Sequence, residues 1–151
     1  MSQQHGDRGL YDTNAAESAQ RDAFTSGEVP VAVYGLGKMG LPLAAVYADV
    51  SGNTVGVDID EGVVETINRG ESHVKREPGL ADLVSETVAD GSLRATTDGS
   101  AAAAGAAVHV IMVPTLLADD GTPELSMLTA AVDTIASGLA PGDLVVVEST
   151  V

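Results

Sequence analysis

The sequence predicts an α/β domain, in which a doubly wound parallel sheet is covered by helices on both faces. Short apolar runs rich in β-branched residues alternate with helical patterns along the chain. These runs are apolar throughout rather than alternating, as expected for strands buried on both faces. Parallel strands need crossover connections, and the intervening helices supply them. The 151 residues are enough for one domain with its own core.

Composition limits the class of protein further. Acidic residues outnumber basic ones by 22 to 7, and the net charge of −15 argues against nucleic acid or an anionic membrane as a partner. The hydrophobic fraction of 44% is too high for a disordered acidic chain, and the aromatic fraction of 3% requires an aliphatic core. The sequence has no cysteine, which excludes disulfides, thiolate metal sites and a cysteine nucleophile within it. We also find no metal-ligand cluster in the sequence.

The acidic residues are spread along the whole chain, and Lys38 and Lys75 are the only lysines. This pattern is typical of proteins from a high-salt cytoplasm, because carboxylates keep the surface hydrated while salt screens their repulsion. An ordinary acidic cytosolic protein is the alternative. The sequence lacks an apolar stretch of the ~20 residues that cross a membrane, and its N-terminus lacks the apolar region of a secretory signal. We therefore expect a halophilic, cytoplasmic protein.

The chain begins with a polar segment over residues 1–27, in which Leu10, Tyr11 and Phe24 are the only large apolar residues. We expect this segment to be a flexible leader. The domain itself is assigned to residues 28–151, because the polar composition changes there to a sequence rich in apolar residues.

Two strands and two helices alternate at the start of the domain. The runs VPVAVYG and TVGVD are continuous, β-branched and bounded by polar residues or glycine, which predicts buried strands. Residues 38–50, between them, are nearly all apolar and predict a helix. After Asp60 the apolar positions follow helical spacing, and Gly70 is placed to end that helix.

The second half of the chain continues this alternation. The predicted elements are an amphipathic helix from Leu80 to near Gly91, an extended segment LRATT, an alanine-rich helix over 100–107, a strand over 108–113, a helix from Leu125 to Leu139 and a last strand LVVVEST. A loop is predicted over 114–124. Because no helix follows the last strand to cover the sheet, we expect this chain to be the first part of a longer protein.

A glycine motif follows the first strand and opens the first helix. Gly35, Gly37 and Gly40 fit G-x-G-x-x-G in the strand–turn–helix context that dinucleotide binding requires. Gly35 permits a tight turn, Gly37 lets the backbone approach a pyrophosphate, and Gly40 lets the helix pack closely on the strand. The helix N-terminus offers unpaired N–H groups to phosphates. A glycine-rich turn without a ligand is the alternative; we favour a Rossmann-like, dinucleotide-binding domain.

Asp58 ends the second strand and lies close to the expected spacing, about 20 residues from the glycines, of the acid that binds a ribose 2′-hydroxyl. A carboxylate at this place repels a 2′-phosphate, so it favours NAD over NADP. The alternative is that Asp58 or Asp60 merely caps the following helix. We assign Asp60 as the cap and Asp58 as the ribose ligand.

Several segments, in order, resemble the N-terminal domain of the nucleotide-sugar 6-dehydrogenases, which include the UDP-glucose, UDP-N-acetylmannosamine and GDP-mannose dehydrogenases. The segments are GLGKMGLPLA, VGVDID, INRGESHVKREPGL, VPT and VVVESTV. GLPLA, EPGL and ESTV make this resemblance more selective than a dinucleotide motif alone. The segments GLGKMGLPLA and EPGL slightly favour the UDP-N-acetylhexosamine branch of the family. The resemblance implies an enzyme that oxidises the C6 alcohol of a UDP-sugar to the uronic acid with two NAD, as a homodimer when full length.

The resemblance also implies roles for individual residues. Lys38 and Met39 of the glycine loop would cover the pyrophosphate, and Asp58 would hold the adenosine ribose. Thr115 would contact NAD, and Thr150 would lie beside the nicotinamide in a supporting catalytic role. For both threonines the alternative is a plain strand end, where hydroxyl groups satisfy backbone atoms.

Two positions depart from the pattern of the family. Leu116 stands where relatives often have proline, and Val63 stands where relatives often have a basic residue near the cofactor. The catalytic cysteine, lysine and asparagine of the family belong to a later segment. This chain is therefore expected to bind the cofactor without completing the reaction.

The remaining polar candidates carry weaker signals. His5 belongs to the leader, His73 is expected in a solvated loop, and His109 is expected to be a satisfied histidine of the core or sheet face. Glu148 ends a strand near the expected site but has no assigned role. Two other functions are considered: a β-hydroxyacid dehydrogenase of the 6-phosphogluconate type, against which EPGL and ESTV argue, and a non-catalytic nucleotide-binding module.

Overall fold

A computed structural model describes residues 16–150 and shows a parallel sheet at their centre. Its strands are β1 (Val31–Tyr34), β2 (Thr54–Val57), β3 (Leu93–Thr96), β4 (Val108–Ile111) and β7 (Leu144–Val147). They pair in the order β3-β2-β1-β4-β7, and every pairing is parallel. The chain therefore winds outward from β1 in both directions, and the predicted doubly wound fold is confirmed.

Helices cover both faces of this sheet. They are α1 (Glu17–Thr25), α2 (Gly40–Ser51), α3 (Glu61–Asn68), α4 (Leu80–Ala89), α5 (Gly99–Gly105) and α6 (Ser126–Ala136). One apolar cluster joins Val31 and Val33 of β1 to α2, α3 and α4, and a second joins Ala32 and Tyr34 to α5 and α6. Both clusters consist mainly of aliphatic residues, as the low aromatic content requires. Within residues 16–150, no helix has the length and apolar character needed to cross a membrane.

The ends of the helices follow local sequence rules. Asp60 precedes α3, and its side chain accepts hydrogen bonds from the backbone N–H groups of Gly62 at 2.9 Å and Val63 at 3.3 Å. The predicted N-cap is therefore confirmed. Gly70 and Gly91 adopt positive φ angles of 78° and 84° just after α3 and α4, a backbone conformation that glycine adopts without steric cost.

Helix α1 lies within residues 1–27, for which a flexible leader is predicted, so this prediction is wrong for Glu17–Thr25. Its aromatic residue Phe24 packs edge-on against Tyr47 of α2, with 6.4 Å between the ring centroids. The side-chain amide of Asn53 donates a hydrogen bond to the carbonyl oxygen of Gly27 at 3.0 Å. These contacts join the segment to the domain through tertiary packing, which leaves no periodic signal in the sequence. Residues 1–15, with His5, and Val151 lie outside the described residues.

The predicted loop over 114–124 contains a small antiparallel hairpin. Its strands are β5 (Leu116–Leu117) and β6 (Pro123–Glu124). The turn between them is closed by Asp120, whose carboxylate accepts from the backbone N–H of Thr122 at 2.9 Å. Two-residue strands of this kind are set by turn chemistry rather than by apolar periodicity.

Candidate functional site

The glycine loop connects β1 to α2 at the carboxyl edge of the sheet. Gly35 has φ of +99°, and its N–H donates to the carbonyl oxygen of Val57 at 2.8 Å. A Cβ atom on Gly35 would lie 2.8 Å from the carbonyl oxygen of Met112, and a Cβ atom on Gly40 would collide with the carbonyl oxygen of Gly35. Both glycines are therefore required by the close packing of this chain on itself.

Gly37 differs from the other two glycines of the motif. A Cβ atom there would have no heavy atom within 4 Å. Gly37, Lys38 and Met39 are exposed, and their backbone N–H groups have no hydrogen-bond partner within residues 16–150. The N-terminus of α2 also has no side-chain cap. Open space in front of unpaired N–H groups at a helix N-terminus suits a phosphate group.

Asp58 follows β2 and is half-buried beside this loop. Its Oδ2 accepts a hydrogen bond from the backbone N–H of Leu36 at 2.9 Å, and its Oδ1 accepts from the N–H of Asp60 at 2.9 Å. A carboxylate oxygen can accept two hydrogen bonds, so Asp58 retains acceptor capacity for the hydroxyl groups of a sugar. Asp58 and Asp60 thus have separate local tasks, one toward the loop and one toward α3.

A cleft of about 440 Å³ opens at the carboxyl edge of the sheet beside Asp58. Open α/β sheets bind their ligands at this edge. The ends of β1, β2, β3 and β4, the first turn of α5 and residues along α6 form its walls. The lining residues are Tyr34, Gly35, Val57, Asp58, Ile59, Thr97, Asp98, Gly99, Ser100, Val113, Pro114, Met127, Ala130, Ala131 and Thr134. None of these lining residues is lysine or arginine. Two carboxylates, those of Asp58 and Asp98, line the cleft, and their negative charge disfavours binding of an additional phosphate group there.

Helices α5 and α6 contribute residues to this cleft that were not predicted from the sequence. Thr97 and Asp98 directly follow β3, so the rule that ligands bind at the carboxyl ends of parallel strands could have identified them. The wall formed by Met127 and Thr134 has no such signal. It depends on how α6 packs on α5, where the Cγ2 atom of Thr134 lies 2.8 Å from the position of a Cβ on Gly99.

The two predicted threonines follow neighbouring strands, since Thr115 lies after β4 and Thr150 after β7. The strand ends are joined by Ser149, whose hydroxyl donates to the carbonyl oxygen of Val113 at 2.7 Å. Thr150 is exposed. The hydroxyl oxygen of Thr115 is buried and has no hydrogen-bond partner among the described residues. A buried hydroxyl group without a protein partner is available for a hydrogen bond to a ligand or a water molecule.

Two of the three histidines, His73 and His109, lie within the described residues. His109 is fully buried, with Nδ1 2.9 Å from the hydroxyl oxygen of Tyr34 and Nε2 3.2 Å from Oδ2 of Asp143. The expectation of a satisfied core histidine is therefore confirmed. His73 is half-buried rather than solvated, because its loop folds back onto the domain, and its Nδ1 has no partner within residues 16–150. No group of three or more potential metal ligands occurs in the part of the chain that the structure describes.

Comparison with known proteins relates this arrangement to one family. Residues 29–151 match the family described as "UDP-glucose/GDP-mannose dehydrogenase family, NAD binding domain". The chain is 46% identical over 120 residues to the NDP-N-acetyl-D-galactosaminuronic acid dehydrogenase of Ralstonia nicotianae. It is 43% identical over 120 residues to the UDP-N-acetyl-D-mannosamine dehydrogenase of Salmonella typhi. Each match covers 80% of this chain and 27% of the relative, so the chain spans little more than a quarter of their length.

Solved structures agree with these relatives in fold. The GDP-mannose dehydrogenase of Pseudomonas aeruginosa, solved as a ternary complex, matches with a TM-score of 0.76 and 28% identity, over 82% of this chain and 29% of that one. The UDP-D-ManNAc dehydrogenase of Pyrococcus horikoshii matches with a TM-score of 0.76 and 36% identity, with the same coverage.

Proposed function

Because the chain belongs to the UDP-glucose/GDP-mannose dehydrogenase family, as its NAD-binding domain, we propose that it serves a nucleotide-sugar 6-dehydrogenase that oxidises the C6 alcohol of a UDP-sugar to the uronic acid with two NAD. The match over residues 29–151 displaces the alternative of a β-hydroxyacid dehydrogenase. The domain assignment over residues 28–151 is part of the same proposal.

The observation that carries the proposal is the open space at Gly37, beside the exposed and unpaired N–H groups of the glycine loop. The fold itself requires no glycine there, so a ligand is the simplest reason for one. The backbone of Gly37, Lys38 and Met39 would hold the pyrophosphate of NAD, with Gly35 and Gly40 shaping the turn. Asp58 would accept hydrogen bonds from the adenosine ribose, and the cleft beside it has room for the adenosine.

The nicotinamide end of the cofactor is assigned to the strand ends after β4 and β7. The orphaned hydroxyl group of Thr115 supports a contact there. Thr150, exposed at the end of the neighbouring strand, would help to position the substrate oxygen or a water molecule. Bound NAD supplies the hydride acceptor, and the residues of this chain bind it, orient it and select it over NADP.

The substrate class follows from the relatives. The relatives at 46% and 43% identity are enzymes named for N-acetylated hexosamine derivatives. These values support a UDP-N-acetylhexosamine, with UDP-N-acetylmannosamine as the first substrate to test against UDP-glucose.

A homodimer in a high-salt cytoplasm completes the proposal. Two pairs between Arg and carboxylate groups occur within residues 16–150, Arg21–Glu17 and Arg69–Glu71, and both are exposed. Such pairs offset little of the repulsion from a net charge of −15. The acidic surface therefore favours surroundings in which salt screens that repulsion.

Calorimetric titration of the chain with NAD and NADP tests the binding function. We expect saturable binding of NAD, weaker binding of NADP, and loss of NAD binding in Gly37→Val, which should keep the wild-type melting temperature because the site is open. A folded chain that binds neither cofactor would overturn the proposal. Saturable binding of NAD without turnover, in a protein of the relatives' length that contains this chain, would favour the non-catalytic nucleotide-binding module.

A further inference from the structure

A chain of hydrogen bonds crosses the sheet on the face covered by α5 and α6. The hydroxyl oxygen of Tyr34, in β1, lies 2.9 Å from Nδ1 of His109, in β4. Nε2 of His109 lies 3.2 Å from Oδ2 of Asp143, in the turn before β7. Tyr34 is 3% exposed, and the side chains of His109 and Asp143 are 0% and 4% exposed. Three polar side chains thus lie on the face of the sheet where the other members of the apolar cluster are aliphatic.

Tyr34, His109 and Asp143 each have a hydrogen-bond partner in this network. Burial, and then the negative charge of Asp143, raises the pKa of Tyr34, so its hydroxyl group is protonated and can donate. With the proton of the imidazole on Nε2, His109 accepts from Tyr34 through Nδ1 and donates to Asp143. The backbone N–H of Ala140 donates to the same Oδ2 of Asp143 at 3.0 Å. A fully satisfied buried network specifies one arrangement of its side chains.

Tyr34 connects this network to the cleft. It is the last residue of β1, directly before Gly35 and the glycine loop, and it is one of the residues that line the cleft beside Asp58 although it is almost completely buried. Tyr34 therefore belongs both to the wall of the cleft and to the buried network, in which His109 holds its hydroxyl group. The imidazole also stacks on the ring, with 6.0 Å between the centroids and 24° between the planes.

Stability alone does not explain a polar network at this place. Apolar side chains of similar volume commonly replace buried polar or ionic groups with no loss of stability. The polar network fixes the orientation of a side chain, because a hydroxyl group that is hydrogen-bonded to a fixed imidazole holds the phenol ring in one position. Binding sites depend on such supporting hydrogen bonds for their geometry.

We propose that His109 and Asp143 are positioning residues, which hold Tyr34 in place where it lines the adenosine part of the cleft. This inference rests on the proposed function, in which NAD occupies the cleft. It concerns the adenosine half of the cofactor, so AMP and nicotinamide mononucleotide should respond differently when the network is broken.

The test is calorimetric titration of the chain and its variants with NAD, AMP and nicotinamide mononucleotide. Tyr34→Phe keeps the ring and removes the hydroxyl group, and His109→Leu removes the partner. For both we expect weaker binding of NAD and AMP and unchanged binding of nicotinamide mononucleotide. Because the lost hydrogen bond lies within the protein, its full worth, about tenfold, is the upper limit of the effect on affinity. Asp143→Asn keeps an oxygen acceptor for His109 and should bind AMP within about twofold of wild type, the lower limit for one hydrogen bond.

Val110→Ala is the matched structural control, since Val110 is fully buried in β4 on the opposite face of the sheet. It should lower the melting temperature and leave the affinity for AMP unchanged. The inference is overturned if AMP affinity follows melting temperature in every variant, or if Tyr34→Phe binds AMP like wild type. Failure of the proposed function looks different, because wild type would then bind no NAD at all.

Discussion

The carboxylate of Asp58 accepts a hydrogen bond from the backbone N–H of Leu36, with 2.9 Å between Oδ2 and the nitrogen. Leu36 lies inside the glycine loop, and its buried side chain packs against Gly56 of β2, where a Cβ atom would lie 2.7 Å from the methyl carbons of Leu36. The residue proposed to hold the ribose therefore also secures the loop proposed to hold the pyrophosphate. The two parts of the cofactor site form one coupled structure.

Replacement of Asp58 should affect both parts of this site. In Asp58→Ala, loss of the charged acceptor and of the bond to Leu36 should weaken NAD binding by about tenfold or more, the worth of a charge-assisted hydrogen bond. Discrimination against NADP should fall as well, because the repulsion of a 2′-phosphate is removed. Calorimetric titration with both cofactors measures each effect.

Asp58→Asn is the matched control, because it removes the charge and keeps an oxygen acceptor for Leu36. It should recover much of the NAD affinity lost in Asp58→Ala while still admitting NADP. Unchanged affinities for both cofactors in both variants would remove Asp58 from the site.

The glycines of the loop should separate stability from binding. Gly40→Ala should lower the free energy of unfolding by about 3 kcal/mol, because its Cβ would collide with the backbone carbonyl of Gly35. Gly37→Ala should change it by less than about 0.5 kcal/mol, since the position is exposed and open, yet weaken NAD binding. Denaturant unfolding followed by circular dichroism, together with NAD titration, gives both quantities. Equal losses of stability in the two variants would contradict this account of the loop.

Salt should stabilise the domain. At a net charge of −15, repulsion among carboxylates grows as screening weakens, so the melting temperature should fall steadily from molar to millimolar KCl. The matched variant Asp49→Asn/Glu65→Gln/Glu86→Gln removes three exposed charges and should show a shallower dependence. A melting temperature that is flat across this range in wild type would favour an ordinary acidic cytosolic protein.

The 151-residue chain should show no dehydrogenase activity when mixed with NAD and UDP-sugars. It contains no cysteine for the covalent step that the family resemblance implies. Absorbance of NADH measures the outcome, with NAD binding by the same sample as evidence that the domain is folded. Sustained formation of NADH would require a different mechanism, built from Thr150, Glu148 or a histidine.

The alternation of strands and helices was readable from the sequence because local periodicity reports it directly. The β-branched runs around Val33, Val55 and Val110 became neighbouring parallel strands, and Asp60 became the cap of α3. The glycine motif and the spacing to Asp58 were equally local, since each depends on a few residues in fixed order. The two-residue hairpin strands and the helix α1 lacked such a signal.

Tertiary contacts decided everything that depends on which residues meet across the sheet. Three glycines of one motif look alike in the sequence, but only packing against Gly35 and Met112 distinguishes Gly40 from the open Gly37. The partners of His109 are separated from it along the chain, at Tyr34 and Asp143, and the parallel pairing of β1, β4 and β7 brings them together. Local patterns specify the elements of a fold, whereas contacts between distant residues exist only after those elements have packed.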